Sequence, residues 1–350
     1  MVVQAEEKIL NLYPIDYPFE TLVNRIKSTP SKLKLNPEFQ RKYKWDKEGW
    51  GRASRFIESC LMRIPLPSCY FAEDEAGNHM VIDGVQRLTT IKRFMDDEFA
   101  LEGLTTFREL EGKKFSQLKS LKSELESTTI RCIVLRKENP KKLIREIFSR
   151  LNQGAVQLSD QEVRHAIYPG ALDGLLSELG EHEKIKRFGL AEGSDKEKDS
   201  REQEEQVLRF FALIGDMGLD SYRTNLKDFL DDYMEKNASM TKSIVAQHKK
   251  KFSIALQNCI DVFGDDVFTN PAASKKRKGL VHYDLLMPTV GLLDKSQVSA
   301  RAKQIRAAYK KLCGSEVFKK TLSGGLQNRS SIIKRRQSWS PLLKAAIDGK

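Results

Sequence analysis

The chain has 350 residues, enough for about two domains that each bury a core. Its 40% hydrophobic and 31% charged residues fit a helix-rich folded protein with solvated faces and exclude a disordered chain. Its 60 basic residues outnumber 48 acidic ones, and this formal charge of +12 reads either as attraction to a polyanion such as nucleic acid or as a basic solvated surface.

In chain order, short strands alternate with helices from Ile9 to about Leu151. Leu22, Val23 and Ile26 share one face of a helix over 19–26, and residues 32–35 alternate as a strand. After Phe39-Gln40-Arg41-Lys42-Tyr43-Lys44-Trp45, Asp46 is placed to cap a helix that buries Trp50, Phe56, Ile57, Cys60 and Leu61 and stops at Ile64-Pro65-Leu66-Pro67. Strands over 68–72 and 79–83 flank the turn residues Asp74 to Asn78 and predict a hairpin. Leu88, Ile91 and Met95 then carry a helical period, so Asp83-Gly84-Val85-Gln86-Arg87 falls at a strand-to-helix junction. A strand over 128–136 follows, and Pro140 opens a helix ending near Leu151.

Beyond this point the pattern is helical. Ser159 and Glu162 form a capping-box signature for a helix to about Ile167, and the bland role of Glu162 and Arg164 is helix-end electrostatics. Helical periods recur over 201–214, 226–234, 243–262 and 300–312, and the charged stretch 192–204 reads as an exposed loop. The five cysteines form no Cys-x-x-Cys pair, which argues for reduced, mostly buried thiols rather than a disulfide framework or a zinc site. The first twelve residues lack a basic leader, and no apolar run approaches the roughly 20 residues that span a bilayer, so a cytoplasmic protein with no membrane partner is expected.

A glycine between strand and helix lets a ligand approach the backbone, and a helix's first turn offers N–H groups to an anion. Arg87 would add a fork of phosphate donors, Gln86 an amide and Thr89 or Thr90 a hydroxyl. Asp83 suits a sugar hydroxyl, a metal or an attacking water. The bland alternative for Asp-Gly-x-x-Arg alone is a tight turn with a surface salt bridge.

The longer string Val81-Ile82-Asp83-Gly84-Val85-Gln86-Arg87-Leu88-Thr89-Thr90 resembles the DGQQR signature of the ParB/sulfiredoxin-like domain that heads GmrSD-type restriction enzymes. Residues 39–45, 64–67 and Ile147-Phe148-Ser149-Arg150-Leu151-Asn152-Gln153-Gly154 are similar to that family in the same order, as is Leu158 to Arg164. The resemblance implies an α+β protein. Residues 1–168 would form a ParB-like nucleotide-binding domain with a short mixed sheet, while the helical periods and basic runs beyond it, not the resemblance, lead us to expect 169–350 to be an all-helical domain that binds DNA or a partner. The resemblance implies that the pentapeptide grips a nucleoside triphosphate with Mg2+, and that hydrolysis is coupled to DNA cutting or to its release. Asp83, Gln86 and Arg87 would be catalytic, and Gln40, Arg41, Gly84, Thr89 and Asn152 would bind nucleotide. For Arg41 an exposed cation beside Trp45 is an equal alternative.

Val85 stands where the family has glutamine and cannot hydrogen-bond through its side chain, which sets an NTPase or nucleotide sensor against a non-hydrolysing DNA- or nuclease-binding adaptor. His79, His165, His182, His248 and His282 are scattered in sequence, so the chain is not expected to be a nuclease by itself, and a separate nuclease subunit is an expected partner. Basic runs at Lys249 to Lys251, Lys275-Lys276-Arg277-Lys278 and Lys334-Arg335-Arg336 are candidate DNA contacts or separate solvated patches.

Overall fold

The computed structural model describes residues 9–35, 43, 45–46, 49–151, 159–186, 201–215, 219, 222, 225–273 and 278–349. The chain divides into two compact units, Met1–Leu158 and Ser159–Lys350. The helix opened by the Ser159 capping box therefore belongs to the second unit, whereas the sequence reading placed it at the end of the first domain.

The first unit is α+β. Its five-stranded mixed sheet has the order β1-β5-β3-β4-β2. Strand β1 (Leu12–Pro18) pairs antiparallel with β5 (Thr129–Leu135), Leu12 opposite Leu135. It holds Pro14 and Pro18, and proline is tolerated here because β1 is an edge strand with one side free of ladder bonds. Tyr13, Ile15 and Tyr17 alternate onto the core face. Helix α1 (Phe19–Lys27) buries Phe19, Leu22 and Val23, an i, i+3, i+4 stripe, with Arg25 and Lys27 in the last turn where they complement the helix dipole.

The short β2 (Leu33–Lys34) pairs parallel with β4 (His79–Asp83), which forms the expected antiparallel hairpin with β3 (Cys69–Glu73). Its turn is closed by Asp74 Oδ1, which accepts from the backbone N–H groups of Ala76 at 3.0 Å and Asn78 at 2.8 Å. Helix α2 (Gly51–Leu61) begins later than expected. Trp50 occupies the cap position, and Asp46 binds Arg93 at 2.8 Å instead of capping the helix. Strand β3 also pairs parallel with β5, which sets Cys69 beside Cys132. Among the described residues the unit also holds helices α3 (Val85–Met95), α4 (Ser120–Ser127) and α5 (Lys141–Leu151) and two short 3-10 turns, Arg108–Leu110 and Phe115–Gln117. Buried Leu88, Ile91 and Phe94 fix the face of α3 that joins the core, each contributing roughly 1.5–3 kcal/mol.

In the second unit the described residues form helices α6 (Asp160–Ile167), α7 (Ala171–Gly180), α8 (Glu183–Lys186), α9 (Glu202–Ile214), α10 (Leu226–Asn237), α11 (Lys242–Phe263), α12 (Leu280–Leu286), α13 (Lys295–Gly314), α14 (Glu316–Lys320) and α15 (Arg329–Asp348). Part of the stretch read as an exposed loop, residues 202–204, is helical, and Glu204 is buried there. Helix α9 buries Val207, Leu208, Phe210 and Phe211, with Phe210 edge-on to Phe252 at 5.4 Å.

Among the described residues of this unit Arg164, Arg209 and Arg335 are buried, and the first two pair with buried carboxylates. Arg164 donates to Asp231 at 2.7 Å, Gln161 at 3.1 Å and Glu205 at 2.9 Å, and Arg209 donates through Nε to Asp284 at 2.9 Å. The role of Arg164 is thus a buried tie between α6, α9 and α10 rather than helix-end electrostatics. Glu162 does cap, accepting from Ser159 N–H at 2.6 Å. No helix among the described residues is long and apolar enough to cross a membrane.

Candidate functional site

Strand β4 ends at Asp83, the chain turns at Gly84, and α3 starts at Val85. Gly84 has φ +102°, a left-handed conformation costly for residues with a Cβ. A Cβ built there would lie 2.4 Å from the Sγ of Cys69, so its missing side chain makes room for β3. The open face expected for a phosphate is filled by a thiol, and Gly84 is buried. Cys69 lies beside Cys132, whose thiol interaction lowers the Cys69 pKa against the opposing effect of burial, and the nearby Arg87 guanidinium acts in the same direction. All five cysteines are free and buried.

Arg87 is only 13% exposed. Its guanidinium donates to the carbonyls of Pro67 and, at 3.2 Å, Ser68, and to Asp83 Oδ2 at 2.9 Å. These bonds tie the first turn of α3 to the chain just ahead of β3 and hold Asp83 in place. Asp83 itself is 44% exposed and stands beside the opening of α3, where first-turn N–H groups have no acceptor within their own helix.

Val85 packs against the core, which accounts for an apolar residue at that position. Gln86 is half-buried. Its carbonyl accepts the Thr90 hydroxyl at 2.8 Å, and Thr90 also meets the Tyr43 hydroxyl at 2.7 Å. Thr89 is buried, and its hydroxyl has no hydrogen-bond partner among the described residues.

Gln86, Thr90 and Arg93 recur at helical spacing along α3, and Arg93 is a positioning residue that the sequence reading missed. It lies over the rings of Tyr43 at 5.0 Å and Trp50 at 4.7 Å and bonds Asp46 at 2.8 Å and Glu98 at 2.7 Å. Burial opposes its charge, yet the two carboxylates outweigh it and raise its pKa. The signal was present as an arginine one helical turn beyond Thr90. Trp50 stacks on Phe99 at 4.3 Å and Trp45 meets Phe56 edge-on at 5.4 Å, so the aromatic residues are core anchors, as expected.

Gln40, Arg41 and Asn152 lie outside the described residues, as do Lys275, Lys276 and Arg277. Trp45 carries Arg52 over its ring at 5.3 Å. Lys278 is half-buried, its backbone bridged to Thr269. Arg335 is 2% exposed and donates to the carbonyls of Ser331 and Leu326, so it does not face a nucleic acid. It belongs to the stripe Ile332, Arg335, Trp339, Leu343 and Ala346 that α15 buries. Arg336 is half-buried and reaches the Leu213 carbonyl at 3.4 Å.

His79 sits four residues from Asp83, about 13 Å along β4. It is buried against Tyr13, and burial with the nearby Arg25 lowers its pKa. His165 does have carboxylate neighbours, for its ring and the carboxylates of Asp173 and Glu204 offer atoms within 4.8 Å of one another. Arg201 lies on both Glu204 oxygens at 2.7 Å, and that charge is thereby neutralised.

With the bend at Gly84 and the segment packed on α3 in view, one comparison decides the family. The model of the GmrSD restriction endonuclease, N-terminal domain, matches residues 19–169. This segment is a GmrSD N-terminal domain. No curated protein and no solved structure matches the chain. The GmrSD domain as matched extends through α6, so it spans the boundary between the compact units and includes the buried Arg164.

Proposed function

We propose that this chain is a nucleotide-binding component of a restriction-like DNA defence system, with the phosphates of a nucleoside triphosphate taken at the opening turn of α3 beside Asp83, clear of the Gly84 bend that Cys69 fills. The observation that carries this reading is the placement of Asp83, a carboxylate exposed at the mouth of α3 and held by Arg87, inside a GmrSD N-terminal domain. The Asp83–Arg87 pair is neutral as a unit, which leaves the positive end of the helix dipole to act on an anion. Arg87 uses donors on the protein's own carbonyls, so its part is to orient Asp83 and fix the turn. The direct phosphate contacts fall to the first-turn amides of α3.

The donor set suits Mg2+ carried by the nucleotide. Asp83 Oδ1 is a hard oxygen ligand, and phosphate oxygens would supply further positions. The ion would neutralise phosphate charge and so favour binding beside a carboxylate.

A second reading, a non-hydrolysing adaptor, is favoured by Val85, whose side chain is committed to the core. Phosphate release in the presence of Mg2+ and DNA separates the two. Release by wild type that disappears in Asp83→Ala supports an NTPase. Nucleotide binding without release, with turnover appearing in Val85→Gln, supports the adaptor, and failure of every triphosphate to bind overturns both readings.

A further inference from the structure

Residues 295–347 hold 13 basic residues and a single acid, Glu316, a net +12, while the rest of the chain holds 47 basic against 47 acidic residues. α13, α14 and α15 with their connections, Asp348 included, therefore carry 13 basic and two acidic residues, a net +11 of the chain's +12. Ten of those 13 basic side chains are exposed. Glu316 is occupied, since it accepts from Lys319 at 2.8 Å. A surplus concentrated in this way sets up a local field that a uniformly basic surface lacks.

Within this segment lies a cavity of about 560 Å3 between α14 and the first turns of α15. Lys320 and Lys334 line it together with the hydroxyl residues Ser323, Ser331 and Ser338 and the amide of Gln337, and no carboxylate is among its lining residues. Neither lysine has an ion pair among the described residues, in a chain where many exposed lysines and arginines do. At Gly324, φ is +74° and a built Cβ would meet nothing within 4 Å, so the backbone there is open to a ligand. Two uncompensated ammonium groups among neutral donors match a phosphate that keeps one negative charge and offers several acceptor oxygens. The exposed cations on the same three helices match a ligand that repeats that charge along its length.

We propose that this groove seats a backbone phosphate of duplex DNA, with Lys320 and Lys334 as its charged ligands and the hydroxyls of Ser331 and Ser338 as neutral ones, the Ser323 hydroxyl being spent on the Lys320 carbonyl. The assignment rests on reading the helical unit as the DNA-binding part of the protein, and it places the contact outside the segment that matches the GmrSD family. It also moves the contact from Arg335, which faces inward, to its neighbour Lys334, which faces out.

The test is fluorescence anisotropy of the full chain with a labelled random-sequence duplex, titrated at several salt concentrations between about 50 and 200 mM. Losing two phosphate contacts in K320Q/K334Q is expected to reduce the slope of log K against log salt by about 1.8, and to weaken binding roughly 10- to 100-fold at about 0.1 M salt, equally on different sequences. K303Q/K310Q removes the same charge from exposed positions on α13 outside the groove, and less than half that slope change is expected. Equal slope changes in both pairs, or an unchanged slope in K320Q/K334Q, overturn the groove and leave DNA binding standing. A wild type that does not bind the duplex overturns both, as does binding to vesicles of anionic lipid in place of DNA. Far-UV circular dichroism of each variant guards against loss of fold.

Discussion

Gly84→Ala tests the bend on which the site is built. Two costs are expected. Holding alanine at φ +102° costs about 1–2 kcal/mol. A Cβ placed 2.4 Å from Cys69 Sγ forces β3 or α3 to shift, an overpacking cost of about 1–3 kcal/mol. Together these give a loss of roughly 2–5 kcal/mol, a large share of the stability of a unit this size. The two parts separate in a double-mutant cycle. In a Cys69→Ala background the thiol is gone and the Cβ of residue 69, at 3.1 Å, is the closest remaining neighbour, so Gly84→Ala should cost the backbone part of about 1–2 kcal/mol and little of the packing part. Urea denaturation followed by the fluorescence of Trp45 and Trp50, both in the first unit, reads each corner of the cycle when Trp339 of the second unit is replaced by phenylalanine in all four proteins. A loss below about 0.5 kcal/mol in wild type, or the same loss in both backgrounds, would refute the claim that the turn requires glycine because β3 packs against it.

Arg164→Ala should destabilise the helical unit by about 3–5 kcal/mol, because Asp231 is left buried without its partner; a denaturation midpoint close to wild type would contradict that. Glu58 gives a pH signature. Burial raises its pKa, but the backbone N–H groups of Phe107, Thr106 and Thr105 and the Thr105 hydroxyl outweigh burial and hold it below its ordinary 4.5. Its stabilising contribution is therefore full above pH 4.5 and is lost as pH falls through the lower folded value. Glu58→Gln should be less stable at neutral pH and should lose part of the acid dependence, as read by thermal melts across that range. Arg335→Ala should cost about 1–3 kcal/mol through its lost bonds to two carbonyls, while Lys334→Ala should stay within about 0.5 kcal/mol of wild type. Equal effects of the two substitutions would mean that α15 is rotated from the orientation described.

The strand-to-helix junction at Asp83-Gly84 was legible because a β period gives way to a helical one across a glycine, and no tertiary information is needed to see that change. β1 was not singled out, because prolines at 14 and 18 argue against a strand unless its place at a sheet edge is known. The tail of the chain misled through composition. Lys334-Arg335-Arg336 looks like a solvated charge run, yet a 3.6-residue period puts Arg335 in line with Ile332 and Trp339 on the buried stripe. The residue types of the candidate site were readable, but not their partners. Nothing local says that Arg87 spends its donors on the carbonyls of Pro67 and Ser68, about 20 residues earlier in the chain, or that Cys69 fills the space beside Gly84. Those contacts are set by how β3 lies against β4 and β5, which only the assembled sheet determines.

The claim at the centre is that Asp83 and the opening turn of α3 receive a nucleotide's phosphates. Isothermal titration of each ribonucleoside triphosphate with Mg2+ into the full chain, and into Asp83→Ala, addresses it most directly. Asp83 is 44% exposed, and far-UV circular dichroism and a thermal melt matching wild type in the variant establish that a changed affinity reports the site itself. The expected result is saturable binding of at least one triphosphate to wild type and at least about a tenfold loss in the variant, equal to about 1.4 kcal/mol. No binding to wild type, or the same affinity in both proteins, would contradict it.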